Sequence, residues 1–229
     1  GTVINKTASY AGDGGLQQVF AGVGFKVLDN LSIGANISYI YGDITHSVTT
    51  AFSNSSSFSS VRLDKISIND YKLDFGLQYS YKFNKKHVLN FGAVYSLGHS
   101  VNGKGYKYNQ KWLNGADYPS TQTGDTITNA FSLPHTFGAG LTYVYDNRLT
   151  IGADFTYQQW EDAKFYNEKS YFSNRTKIAA GAEFVPNPYS RNYLKRVRYR
   201  VGGYYSDPYT KVDGQDGTRE YGVSAGFGF

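Results

Sequence analysis

The chain has 229 residues, of which 17% are aromatic and 26 are glycine, and it contains no cysteine. That length suits one large all-β domain, and the missing cysteines exclude a disulfide framework, a zinc–thiolate cluster and a thiol nucleophile. The net charge of +5 is mild, mean hydropathy is −0.46, and no run of 18 apolar residues occurs, which excludes a helical membrane span.

Residues 1–14 are polar and glycine-rich and read as mostly loop. A first strand follows over about Gly15–Val27, with Val19, Ala21, Val23, Phe25 and Val27 on one face. The Asn30–Gly42 stretch carries the clearest pattern. Leu31, Ile33, Ala35, Ile37, Tyr39 and Tyr41 alternate there with Ser32, Gly34, Asn36 and Ser38. Alternation of this kind, capped by tyrosines, describes a transmembrane barrel strand. A Ser/Thr-rich stretch from Asp43 to about Ser60 reads as a long loop. The third strand ends at Phe83 and presents Tyr71, Leu73, Phe75, Leu77, Tyr79 and Tyr81 against Lys72, Asp74, Gln78 and Lys82. The fourth presents Leu89, Phe91, Ala93, Tyr95 and Leu97.

A loop then runs to Ala130. The fifth strand shows Phe137, Ala139, Leu141, Tyr143 and Tyr145, and the sixth shows Leu149, Ile151, Ala153, Phe155 and Tyr157 with Asp154 opposite. The seventh, about Thr176–Val185, turns Ile178, Ala180, Ala182 and Phe184 to one side and Glu183 to the other. Pro186 and Pro188 break it. The eighth runs over about Arg196–Tyr205. Its arginines alternate with Val197, Tyr199 and Val201 in strand register, which argues against a nucleic-acid patch. The ninth is Tyr221–Phe229.

Two regularities set the class. Charges keep to one face of each strand, and a Lys or Arg facing lipid at mid-bilayer costs roughly 2–4 kcal/mol. Connections alternate between short (28–30, 84–86, 146–148) and long (43–60, 98–130, 158–175, 206–217), with 186–195 intermediate. Outer-membrane barrels have short periplasmic turns and long extracellular loops. The expected fold is therefore an all-β, transmembrane, antiparallel up-and-down barrel in a single domain over residues 1–229. Nine strands is an odd number, so the reading includes a further strand upstream and a chain that is part of a longer barrel.

The histidines, His46, His87, His99 and His135, show no metal-ligand spacing, and no nucleophile–His–acid context appears. Neither a metal site, a cofactor nor an enzyme activity is expected. Lys72, Asp74, Asp154, Glu183, Arg198 and Arg200 are the charged candidates for the lumen. Their plainer reading is ion pairing across the barrel interior, and the sharper one is pairing with a solute's carboxylate. Trp160 and the strand-end tyrosines read as an interfacial girdle.

The runs Gly14–Ile44, Leu133–Asp162 and Arg198–Phe229 resemble the FadL/TodX family of outer-membrane transporters of hydrophobic compounds, with the texture of its Bacteroidetes homologues. The resemblance implies a fourteen-stranded barrel closed by an N-terminal hatch, and neither the hatch nor its Asn-Pro-Ala signature is present in this sequence. It also implies that residues 43–60 and 98–130 form the extracellular site where a hydrophobic solute first docks. Tyr106, Tyr108, Trp112, Leu113 and Tyr118 supply suitable chemistry. The expected function is a passive outer-membrane channel for long-chain fatty acids or other hydrophobic solutes, with lipid and an apolar small molecule as partners. The alternatives are a structural or secretion-associated barrel that binds a protein, and a polar-solute porin. No nucleic-acid partner is expected.

Overall fold

Alternating sequence becomes alternating structure. The computed structural model describes residues 5–53, 58–113, 123–128, 131–164, 172–212 and 214–228. In chain order the strands are β1 (Lys6–Leu28), β2 (Leu31–Phe52), β3 (Phe58–Lys82), β4 (His87–Ser96), β5 (His99–Val101), β6 (Gly103–Leu113), β7 (Thr123–Thr128) and β8 (Phe131–Leu133). They continue with β9 (Thr136–Tyr145), β10 (Leu149–Gln158), β11 (Arg175–Phe184), β12 (Arg198–Ser206), β13 (Lys211–Val212), β14 (Gln215–Asp216) and β15 (Glu220–Gly228). One turn of helix, α1 (Tyr193–Arg196), lies between β11 and β12.

A curled antiparallel wall joins nine of these in the order β1-β2-β3-β4-β9-β10-β11-β12-β15. Every neighbour in it is a sequence neighbour or is separated only by the β5–β8 excursion or the small β13–β14 hairpin, which is up-and-down barrel topology. Strands β4, β9, β10 and β11 have 10 residues each. At about 3.3 Å per residue and a tilt near 40° such a strand rises roughly 25 Å, the height of a barrel's apolar band. Paired residues share a face, so the register fixes two surfaces. One carries Val23, Ile33, Phe75, Tyr95 and Phe137, of which all but the half-buried Tyr95 are solvent-accessible here as lipid-facing residues must be. The other carries Gly, Ser, Asn and all the wall charges. Asp146 and Asn147 take left-handed φ values of 51° and 53°, which closes the β9–β10 hairpin with the turn geometry that matches strand twist.

Three expectations about loops are overturned. Residues 43–52 and 58–60, read as part of a loop, are continuations of β2 and β3, which reach 22 and 25 residues. β1 likewise begins at Lys6, inside the stretch read as loop. The 98–130 segment is not a plain loop either, because β6 pairs with β3 from Phe58↔Leu113 to Ile68↔Gly103 and β7 pairs with β6. Five strands therefore rise beyond the wall as a blade, about 40 Å tall for the 12 residues of β3 from Phe58 to Asn69. Thr and Tyr are good strand formers, and with a partner available the backbone groups of such a stretch pair in a ladder instead of with water. A polar composition marks solvent exposure here, not irregular backbone.

Candidate functional site

The end of the wall from which the blade rises is where polar-face chemistry changes character. Below it the polar face is floored by Gly24, Gly34, Gly76, Gly92 and Gly140, which with Gln78, Asn90, Thr142 and Asp154 line a cleft of about 490 Å³. At the rim the same face turns apolar. Ile40, Ile66, Ile68 and Val101 are buried together, with Ile127, Phe131 and Leu133 packed against them. Val101 belongs to β5, which leaves the main sheet after β4 and pairs with β8 through His99↔Leu133 and Val101↔Phe131. This small two-stranded flap lies on the polar face and seals the collar. The space left among Leu16, Ile40, Ile68, Asp70, Val101, Phe131 and Leu133 is about 10 Å³, at the lower limit of what a single water needs.

One carboxylate pins the flap. Asp70 Oδ2 accepts from Asn102 N at 2.5 Å, at the corner between β5 and β6, while its Oδ1 accepts from Tyr71 N at 2.7 Å. Asn69 N donates to Asn102 O at 3.2 Å. His99 stacks on Tyr71 with centroids 4.6 Å apart and holds Nε2 3.4 Å from Asp70 Oδ2. Both of its ring nitrogens are buried and without a hydrogen bond.

A second packed cluster caps β10–β12. Trp160 lies 5.3 Å from Phe172, 5.0 Å from Tyr209 and 6.3 Å from Phe131, ring to ring, and the Arg175 guanidinium sits 5.6 Å over Tyr209. Trp160 is thus not a girdle residue. Its indole N–H donates to Gln158 Oε1 at 3.0 Å, and its ring ties β8 to the connections after β10 and β12.

The predicted docking aromatics fall on the blade. Tyr106, Tyr108 and Trp112 occupy one face of β6, continuous with the lipid-facing side of the wall, and the two tyrosine rings stack at 6.5 Å. Leu113 ends the strand, and Tyr118 lies outside the described residues. At the foot of this face Asp43 pairs with Lys65 at 2.9 Å. The Ser67 hydroxyl, with Lys65, holds the Asp43 carboxyl below its usual range, and Asp43 in turn raises the Lys65 ammonium.

The predicted luminal charges share the polar face but form separate groups. Lys72 donates to Asp74, which also accepts from Ser96 Oγ. Glu183 takes Arg198 at 2.9 Å and Arg200 at 2.6 Å, at the far end of the wall. Asp154 stands apart, with one oxygen over the bare Cα of Gly140. The flap and the collar were not singled out from sequence. The sole signal was Ile40, Ile66 and Ile68 breaking the polar alternation of β2 and β3.

Solved structures match the fold. The Ralstonia pickettii toluene transporter TbuX superposes with a TM-score of 0.58 at 14% identity, over 85% of this chain and 56% of that one. A mutant of the monoaromatic hydrocarbon channel TodX gives 0.56 at 16%, over 86% and 55%. The RagAB peptide importer gives 0.52 at 12%, over 87% and 23%. This chain therefore spans little more than half of these relatives at most, and identities this low establish a shared membrane-barrel fold and nothing finer. No curated protein sequence matches. The resemblance to FadL/TodX proteins holds at the level of fold, whereas the family is set by a different match. The family model for BamG aligns with residues 2–229, nearly end to end, and the chain belongs to the BamG family.

Proposed function

We propose that the chain is the wall and gate of an outer-membrane channel that admits hydrophobic solutes, taken up first on the aromatic face of the blade. The observation that supports this most is the collar. An apolar ring of Ile40, Ile66, Ile68, Val101, Phe131 and Leu133 interrupts an otherwise polar, glycine-floored face. Hydrated ions and sugars pay a desolvation cost to cross such a ring, whereas an apolar molecule gains by it. A polar-solute porin has no use for this arrangement. In this orientation the blade is extracellular and the short turns are periplasmic, as in outer-membrane barrels generally.

The remaining free space in the collar is too small for any solute, so passage requires the β5–β8 flap to swing off the wall. Tyr106, Tyr108 and Trp112 concentrate the solute outside, and below the flap the glycine floor leaves room for it to move. The names of the structural relatives, a toluene transporter and a monoaromatic hydrocarbon channel, favour small aromatic hydrocarbons over long-chain acids as the first solutes to try. The test is uptake of radiolabelled toluene and oleate by cells carrying the full-length protein. The Tyr106→Ala/Tyr108→Ala/Trp112→Ala variant, present at normal levels in the membrane, is expected to take up either solute at least fivefold more slowly at low concentration. Unchanged uptake would remove the docking role.

A further inference from the structure

The short-turn end of the wall is unlike every other surface of the molecule. Lys26 and Lys82 face the polar side there, Lys85, Lys86 and Arg148 occupy the turns, and Arg191, Lys195 and Arg196 lie in the 186–197 connection. With Arg198 and Arg200 these make ten of the 23 Lys and Arg residues, against three of the 18 carboxylates, Asp29, Asp146 and Glu183. This end thus carries +7, while the rest of the chain, with 13 basic and 15 acidic residues, carries −2. Six of the ten, Lys82, Lys85, Arg148, Arg191, Lys195 and Arg196, form no ion pair among the described residues.

The 186–197 connection is built, not loose. Val185 and Val197 close its base, each 4% exposed. Asn187 N donates to Lys195 O at 2.8 Å, Tyr189 N to Asn187 Oδ1 at 3.0 Å, Asn192 N to Ser190 Oγ at 3.1 Å and Leu194 N to Asn192 Oδ1 at 3.0 Å. Arg148 donates to Pro186 O from the neighbouring turn, and Tyr199 Oη to Leu194 O at 3.1 Å. Yet the side chains this scaffold carries are exposed: Tyr189 92%, Leu194 66% and Tyr193 55%. Ordering a segment has an entropic cost, and the exposed Tyr189 and Leu194 side chains do nothing to offset it. Tyrosine beside arginine on a pre-ordered backbone is the composition of interface hot spots.

We propose that this rim is a docking surface for an acidic protein, with Tyr189, Tyr193 and Leu194 as its anchors and the unpaired cations as its electrostatic complement. The wall cations turn toward the barrel mouth, and Lys26 and Lys82 sit on the polar face, not the lipid face. A membrane surface would be met by cations on the opposite side, so a protein seated beneath the mouth is the better match. The placement of this partner in the periplasm rests on the orientation adopted above.

The experiment is site-specific photo-crosslinking in living cells, with benzoylphenylalanine at Tyr189 of the full-length protein. Expected is a discrete protein adduct whose crosslinked peptide, sequenced by mass spectrometry, is net acidic. Its yield should fall at least tenfold in Arg191→Glu/Lys195→Glu/Arg196→Glu, in a barrel whose heat-modifiable gel mobility shows it folded. The milder Arg191→Gln/Lys195→Gln/Arg196→Gln variant should give an intermediate loss. A phospholipid adduct alone, no adduct, or a protein adduct indifferent to all three charges would overturn the proposal. Labelling of Tyr189→Cys in intact cells by a membrane-impermeant maleimide reports orientation separately, and solute uptake reports the channel reading separately.

Discussion

Replacing Asp70 by alanine should loosen the flap without unfolding the wall. Asp70 is mostly buried and makes two backbone hydrogen bonds, but only the one from Asn102 N crosses to the flap corner, since Tyr71 lies on its own strand. A hydrogen bond to a charged acceptor contributes about 1.5–3 kcal/mol net. The Asn69–Asn102 bond survives the substitution, so the corner remains tethered, though less tightly. At 1.4 kcal/mol per decade, the open flap should become roughly 10–150 times more populated. Hydrogen exchange of the full-length protein in detergent reads this directly: amides from His99 to Gly103 should exchange faster by about that factor, while those of β10 and β11 stay unchanged. Uptake of a hydrophobic solute should rise with it. Unaltered exchange at Val101 and Asn102 would mean that collar packing alone holds the flap, and the pin would have no role.

Other expectations follow from particular contacts. Gly42 has φ of 144° and a Cβ there would lie 2.2 Å from Gly15 O, so Gly42→Ala should cost about 1–3 kcal/mol, whereas Gly76→Ala meets nothing within 4 Å and should be nearly silent. Thermal midpoints of the two variants check the contrast, and equal midpoints would contradict it. Glu183→Gln leaves Arg198 and Arg200 without their carboxylate and should lower the midpoint by a few degrees, from about 1 kcal/mol lost at partly exposed pairs. The Asp43–Lys65 pair gives a pH window for the foot of the blade. The Asp43 carboxyl is lowered, so its contribution is present above about pH 4 and fades as pH falls through its own lower value. Lys65 is raised, so its contribution is present below about pH 10 and fades as pH rises past its higher one. Protection of β2 and β3 amides near Asp43 should be flat between these limits and decline outside them, and a decline near neutral pH would point elsewhere.

Much of the wall was legible in the sequence, because period-two alternation is enforced by lipid on one side. Each of the nine wall strands, their order and the face taken by Lys72, Asp154 or Glu183 follow from that single constraint. The blade was not legible, since the constraint ends where lipid ends. Beyond Tyr41 both faces of β2 meet water, so Thr45, Ser47 and Thr49 carry no directional signal although they continue the same ladder. The flap was hidden for another reason. β5 and β8 have three residues each, and their pairing joins His99 to Leu133 across the 98–130 stretch, a contact that only the folded wall brings about. Trp160 was misplaced because a tryptophan at a strand end has the same sequence signature whether it meets lipid headgroups or other aromatic rings.

The unbroken course of β2 and β3 has a mechanical consequence. A ladder that continues from the membrane into the medium without a loop transmits bending and twist from one to the other, as a mast does to its hull. Within the β1–β2 hairpin its regular pleat is relieved where Gly14 and Gly42 take φ values of 100° and 144° on adjacent strands, two rows apart. A load on Tyr106 or Trp112 would therefore be felt at that joint, and through β3 at Ile66 and Ile68 in the collar. Whatever lands on the blade pulls on the strand against which the flap is closed.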